Sequence, residues 1–150
     1  MSISIKEILQ SAIGREEAAY VFYLQIAERS GNAYIRQLFT QLASDELGHK
    51  AFLSGCLADP NLLTKLPVPP DFQVAEATER PEAGAALRPA DVIALAMKRE
   101  QDAVEHYRRL AAMATVVDYR QAFEGLAAME LNHKGKLESA FVNIGYPEAF

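Results

Sequence analysis

The feature that most restricts what this chain can fold into is an internal repeat with a period of 84 residues. Shifted by that amount, the sequence overlays on itself without a gap. Arg15 meets Arg99, Glu16 meets Glu100, Ala19 meets Ala103, Tyr23 meets Tyr107 and Ala27 meets Ala111. Further on, Arg36-Gln37 meets Arg120-Gln121, Phe39 meets Phe123 and Leu42-Ala43 meets Leu126-Ala127. Glu46-Leu47 then meets Glu130-Leu131, His49-Lys50 meets His133-Lys134, and Leu53 meets Leu137. A unit that occurs twice is one supersecondary motif, and it places its polar residues twice in equivalent positions.

The prolines say what the unit is. None precedes Pro60; Pro60, Pro67, Pro69, Pro70, Pro81 and Pro89 follow in one stretch, and Pro147 stands near the end. Proline breaks helix interiors, so the segments on either side of that stretch are free to be helical. Ser4-Ile5-Lys6-Glu7 fits a capping box, and apolar residues follow at helical spacing from Ile5 to Tyr23. Ser30-Gly31-Asn32 is a short break. Pro89 and Asp91 suit the first turn of a third helix, and Asp118 is a candidate cap for a fourth. The spacing predicts helices over about 4–30, 33–57, 89–113 and 117–143, in a single domain spanning residues 1–150. Residues 58–88 form a crossover, which is long for a compact domain and needs a reason. The repeated unit is therefore a helical hairpin, and the expected fold is all-α, a four-helix bundle of two hairpins.

Each hairpin sets the same polar residues where apolar ones belong. Glu46 and His49 are three apart, as are Glu130 and His133, so each pair shares one helix face. Glu16 and Glu100 each lie 30 residues before the second glutamate of their own hairpin. All four glutamates fall near the midpoints of their predicted helices. A crossover that returns along the bundle brings four carboxylates and two imidazoles into one central layer. Four buried carboxylates cost several kcal/mol each unless protonated, paired or bound to metal. By periodicity no Lys or Arg occupies a core position of that layer. Two divalent ions offset the charge, and one Glu from each of two helices plus Glu-x-x-His from each of the other two is the pattern of di-iron and di-manganese bundles. With 14 Glu among 150 residues, a chance Glu three before a given His arises in about one case in eleven, yet two of the three His have one.

Other residues are read more plainly. Tyr23 and Tyr107 stand two turns beyond Glu16 and Glu100; they either hydrogen-bond to metal-bound carboxylates or pack as core aromatics. His106 lies off the ligand face. Arg15, Arg99, Arg36 and Arg120 are read as solvated, and Glu17, Asp45, Asp102 and Glu105 as surface charge. Cys56 is a small core residue.

Composition closes off other classes. Half the residues are hydrophobic, 23% are charged, and mean hydropathy is −0.05, as in ordinary globular domains. The formal net charge of −5 argues against nucleic acid as a partner. One cysteine forms neither an internal disulfide nor a Cys-x-x-Cys site. No apolar run approaches the ~20 residues needed to cross a bilayer, so no membrane partner is expected. The start, MSISIKEILQ, lacks a basic region followed by an apolar stretch, so the cytoplasm is the expected compartment.

At this point the chain resembles the ferritin-like di-iron carboxylate proteins, and among them the rubrerythrin branch without a rubredoxin domain. The match rests on Glu16-Glu17-Ala18-Ala19-Tyr20-Val21-Phe22-Tyr23, Glu46-Leu47-Gly48-His49, Glu100 with Tyr107, and Glu130-Leu131-Asn132-His133. It covers about residues 4–143. The resemblance implies that Glu46 and Glu130 bridge two metal ions, that Glu16 and Glu100 are terminal ligands, and that His49 and His133 each ligate one ion. It implies two iron ions per chain, with manganese as the alternative. It implies an oxidoreductase acting on hydrogen peroxide or oxygen, as a peroxidase or a ferrous-iron oxidase. Two departures matter. With no cysteine-ligated rubredoxin module, electrons come from a separate donor protein such as a rubredoxin. Full rubrerythrins also carry an extra glutamate one turn from the third-helix ligand, where this chain has Met97 and Ala103.

Two other readings stand beside this one. Ferritin-type iron storage predicts a large shell, whereas the present chain is expected to form a homodimer. A metal-free interaction module predicts that Glu46→Ala and His49→Ala leave metal content and stability unchanged.

Overall fold

A computed structural model describes residues 4–82 and 87–145. Four long helices form: α1 (Ile5–Arg29), α2 (Ala33–Cys56), α3 (Pro89–Met113) and α4 (Val117–Gly145). A short 3-10 helix, Pro60–Lys65, follows α2. The described residues contain no strand. The chain divides into two compact units, residues 1–65 and 66–150.

The first unit is the α1–α2 hairpin. Ser4 caps α1: its Oγ accepts from Glu7 N at 3.1 Å and donates to Glu7 Oε1 at 3.3 Å, so the expected cap forms while the return bond from Glu7 goes to the hydroxyl rather than to the Ser4 backbone N–H. Ser30 ends the helix through its N–H to the Ile26 carbonyl. Asn32 Oδ1 then accepts from Ile35 N at 3.0 Å and starts α2. Such a short loop holds the two helices side by side. Ile8, Leu9, Ala12, Tyr23 and Ala27 of α1 are buried, as are Ile35, Phe39, Leu42, Ala43 and Leu53 of α2. The Tyr23 and Phe39 rings meet tilted at 5.7 Å between centroids. Arg36 donates to the Ser30 carbonyl at 3.1 Å, so it caps the C-terminal end of α1 by a hydrogen bond.

The second unit is the α3–α4 hairpin with the crossover from Leu66. Pro89 opens α3, and Asp91 Oδ2 accepts the Arg88 backbone N–H at 3.0 Å. The start of α4 differs from expectation. The carbonyl of Val116 takes the first backbone bond, from Arg120 N, and Asp118 lies inside the first turn. There it serves the helix dipole rather than the cap. Helix α4 also runs to Gly145, two residues past the expected end.

The crossover is more structured than a bare connector. Leu63 of the 3-10 helix is 1% exposed and Ala75 is fully buried. Gln73 adopts φ 57°, a left-handed conformation that costs roughly 1–2 kcal/mol for a residue with a Cβ. Asp71 Oδ1 accepts the Gln73 N–H at 3.2 Å and holds the turn. Thr78 Oγ1 closes the next one on the Val74 carbonyl at 2.7 Å.

Candidate metal centre

Each hairpin carries one triad. In the first unit α1 supplies Glu16 and α2 supplies Glu46 and His49. In the second unit α3 supplies Glu100 and α4 supplies Glu130 and His133. Every glutamate lies within two residues of its helix midpoint. Glu16, Glu46, Glu100 and Glu130 are all buried, at 2%, 1%, 3% and 7% exposure. That is rare for carboxylates and matches their placement on the apolar stripe of each helix.

The distances within a triad suit a shared cation better than hydrogen bonds. His49 Nδ1 lies 3.6 Å from Glu16 Oε2 and 3.9 Å from Glu46 Oε2. His133 Nδ1 lies 4.0 Å from Glu100 Oε1. These spacings exceed the 2.7–3.2 Å of an N–H···O bond. Two donor atoms each about 2.0–2.2 Å from one ion stand roughly 3 Å apart at a right angle and about 4.2 Å apart when opposed. The observed spacings fall inside that span. Glu16 Oε2 is buried and accepts no hydrogen bond, a costly state for a carboxylate oxygen unless a cation reaches it. Carboxylate and imidazole donors together suit iron, manganese or zinc. The residues present therefore fit a metal ion.

The structure places the remaining candidates as follows. Tyr23 and Tyr107 are buried at 0% and 4% exposure, and core packing is directly visible for Tyr23 against Phe39. The His106 ring lies 5.4 Å from that of Tyr107. Cys56 is fully buried, and burial followed by the nearby Asp59 charge pushes its thiol pKa up. Glu17 and Asp102 are exposed and pair with Lys50 and Arg80 at 3.1 and 2.8 Å. Met97 is fully buried and Ala103 is 8% exposed. The position one turn to either side of Glu100 is thus apolar in space as well as in sequence.

One cluster went unread in the sequence. Lys134 is 1% exposed, although its repeat partner Lys50 has a side chain 43% exposed. Its Nζ donates to Asp71 Oδ1 at 2.6 Å and to Glu138 Oε2 at 3.1 Å, and lies 2.8 Å from Glu76 Oε1. Glu138 Oε2 also accepts the Ala75 N–H at 2.9 Å, and Arg108 reaches Asp71 at 3.3 Å. Burial alone would lower the Lys134 pKa, but the bonds to Asp71, Glu76 and Glu138 raise it. Burial alone would raise that of Asp71, but Lys134, the Gln73 N–H and Arg108 hold it below the ordinary range. Asp71, Glu76 and Glu138 converge closely enough to hold a cation, and the Lys134 ammonium is that cation. Periodicity misses Lys134 because the crossover buries it. The one local signal is the i,i+4 pair Lys134–Glu138; Asp71 and Glu76 lie some 60 residues earlier.

These features define an all-α protein of the ferritin-like class, with a duplicated carboxylate–histidine triad. The rubrerythrin family profile matches residues 7–141, and the chain belongs to that family of di-iron carboxylate proteins. No curated protein and no solved structure matched the chain. Among the described residues no helix is long and apolar enough to cross a membrane.

Proposed function

We propose that the six residues of the two triads hold two iron ions per chain, and that the protein is an oxidoreductase acting on hydrogen peroxide or oxygen. The observation that carries this reading is the duplicated triad of buried carboxylates and imidazole, in which His49 lies 3.6 and 3.9 Å from Glu16 and Glu46 and His133 lies 4.0 Å from Glu100. Glu16, Glu46, His49, Glu100, Glu130 and His133 would together hold the two ions, with one histidine on each. A redox-active pair supplies two electrons when bound, enough to cleave one O–O bond. The chain's contribution is to fix the donors near helix midpoints and to keep the four carboxylates and His133 from water. Tyr23 and Tyr107 orient the glutamates of their own helices. Manganese suits the same donors, and cellular supply decides between the two metals.

The 150 residues hold one cysteine, Cys56, which is buried and cannot build a cysteine-ligated iron site. In this reading electrons for turnover come from outside these 150 residues, from a donor protein such as a rubredoxin. The buried Met97 and Ala103 leave no additional carboxylate one turn from Glu100. A carboxylate at that position would therefore not be available to the metal pair. A cytoplasmic homodimer is the working assembly.

The test is anaerobic loading with ferrous iron, followed by rapid mixing with peroxide or with oxygenated buffer. Near two iron per chain, oxidised faster than iron in buffer and lost in Glu130→Ala, is the expected result. Two iron per chain with oxidation no faster than in buffer would remove the enzyme reading. Absence of bound iron in folded protein would remove the metal reading as well.

A further inference from the structure

Between the last turns of α3 and the first half of α4 lies a cavity of about 410 Å³ that the metal reading does not use. That is the size of a small-ligand site. Its lining belongs wholly to the second unit. Ala111 and Ala112 of α3 and Ala127, Ala128 and Leu131 of α4 make an apolar floor. The four alanines leave open a volume that larger side chains would fill. Val68 of the crossover, itself largely exposed, adds a further apolar wall. The charged residues of the lining are not equivalent. Arg108 is engaged by Asp71 at 3.3 Å. Arg120 and Glu124 are exposed, and among the described residues neither side chain makes a hydrogen bond or an ion pair. They stand four apart on α4 and so share one face. The arginine comes first, which is the less favourable order for pairing with each other. The repeat shows the role that Arg120 has given up. Its counterpart Arg36 donates to the Ser30 carbonyl at 3.1 Å and caps α1. Arg120 instead leaves its charge close to the N-terminus of α4, the wrong end of the helix dipole for a cation. Arg108 and Glu124 fall on Leu24 and Thr40 of the first hairpin, so this pair of charges is not part of the duplicated pattern.

We infer that this cavity binds a small zwitterion with an apolar side group, the chemistry of a free hydrophobic α-amino acid. The carboxylate meets Arg120, whose planar guanidinium donates to both of its oxygens. The ammonium meets Glu124. The side group lies on the alanine floor against Leu131 and Val68. A plain carboxylate would set its charge beside Glu124, and a plain amine would meet Arg108 and Arg120. A ligand with one charge of each sign satisfies the rim without repulsion. Its carboxylate also offsets the unfavourable position of Arg120 on the α4 dipole. So few ligand atoms, held partly at an exposed rim, give a Kd on the order of 1 mM. The inference stands apart from the metal reading, since none of its residues is a metal-ligand candidate.

The experiment is equilibrium dialysis of the full chain as purified, with whatever metal it carries, against radiolabelled L-leucine and L-phenylalanine. One amino acid per chain is expected. Glycine, which lacks the side group, should bind at least about ten-fold more weakly than leucine. The same loss is expected for 4-methylpentanoate, which lacks the ammonium, and for 3-methylbutylamine, which lacks the carboxylate. Arg120→Gln and Glu124→Gln, both at exposed positions, should each weaken leucine binding by about ten-fold. Ala112→Leu fills the floor from an exposed position and should abolish binding without threatening the fold. No binding of leucine or phenylalanine at about 10 mM, ten times the expected Kd, overturns the inference. So does 4-methylpentanoate binding as tightly as leucine. Leucine that still binds Ala112→Leu but is lost in Glu130→Ala sits at the metal centre, and that result overturns the cavity assignment while leaving the metal reading intact.

Discussion

Replacing Lys134 by methionine tests whether the crossover is fastened by a buried charge cluster or merely lies on α4. The substitution keeps the length of the side chain and removes its charge. The consequence differs among the three carboxylates. Glu76 is about one-third exposed and can turn to water. Asp71 keeps Arg108 and the Gln73 N–H. Glu138 is 1% exposed and keeps only the Ala75 N–H on Oε2, since its Oε1 accepts no hydrogen bond. The cost therefore concentrates on Glu138, as one uncompensated buried carboxylate. Breaking such a pair from one side typically costs 3–5 kcal/mol. For a chain of this length each kcal/mol moves Tm by roughly 2–4 °C, so a fall of about 6–20 °C is expected. Urea titration and scanning calorimetry of the metal-free protein at pH 7 read the loss. The double variant Lys134→Met/Glu138→Gln should recover most of it, because the stranded charge is gone. Glu76→Gln alone should cost under about 1 kcal/mol, as an exposed pair does. A loss below about 1 kcal/mol in Lys134→Met, or no recovery in the double variant, would refute the argument that Glu138 depends on this ammonium.

Three further outcomes follow from the same geometry. Glu16→Leu should stabilise the metal-free protein by roughly 1–3 kcal/mol in urea while lowering metal content, because it removes a buried carboxylate oxygen that accepts no hydrogen bond; destabilisation of the metal-free form would contradict this. Ferrous or cobalt ion at about 100 times its Kd should add roughly 2.7 kcal/mol to unfolding stability for each ion bound, and EDTA should return Tm to the metal-free value. The charge cluster sets a pH dependence of definite sign. The Asp71 pKa is depressed on folding, so its stabilisation is complete above the ordinary aspartate value of about 3.9 and is lost as pH falls through the depressed value. The Lys134 pKa is raised, so its share is complete below about 10.4 and is lost as pH rises through the raised value. Asp71→Asn should lower stability at pH 7 and flatten the acid limb of the stability–pH curve.

Helix positions were legible in the sequence for local reasons. Ser4, Asn32 and Pro89 act within three residues of where they stand, and proline exclusion is an intrinsic backbone property. The triads were legible because duplication displays them twice. A glutamate on an apolar stripe is ambiguous once, but Glu16/Glu100 and Glu46/Glu130 recur at identical spacing. The start of α4 was less clear, since Asp118 suits either the cap or the first turn, and only the Val116 carbonyl bond decides between them.

The Lys134 cluster marks the point at which the repeat itself misleads. Symmetry in sequence argues that Lys134 should behave like Lys50, a surface lysine beside an exposed glutamate. The crossover occurs once, however, and its residues 71–76 meet Lys134 of the second copy. Whatever it touches is withdrawn from the symmetry of the hairpins. Asp71 and Glu76 sit in a proline-rich stretch with no periodicity to reveal their partners, and Asp71 also props the left-handed turn at Gln73. The crossover's charges, its strained turn and its hold on α4 thus form one unit. The pattern of carboxylates and histidines follows from the repeat, while the burial of Lys134 follows from the one segment that is not repeated.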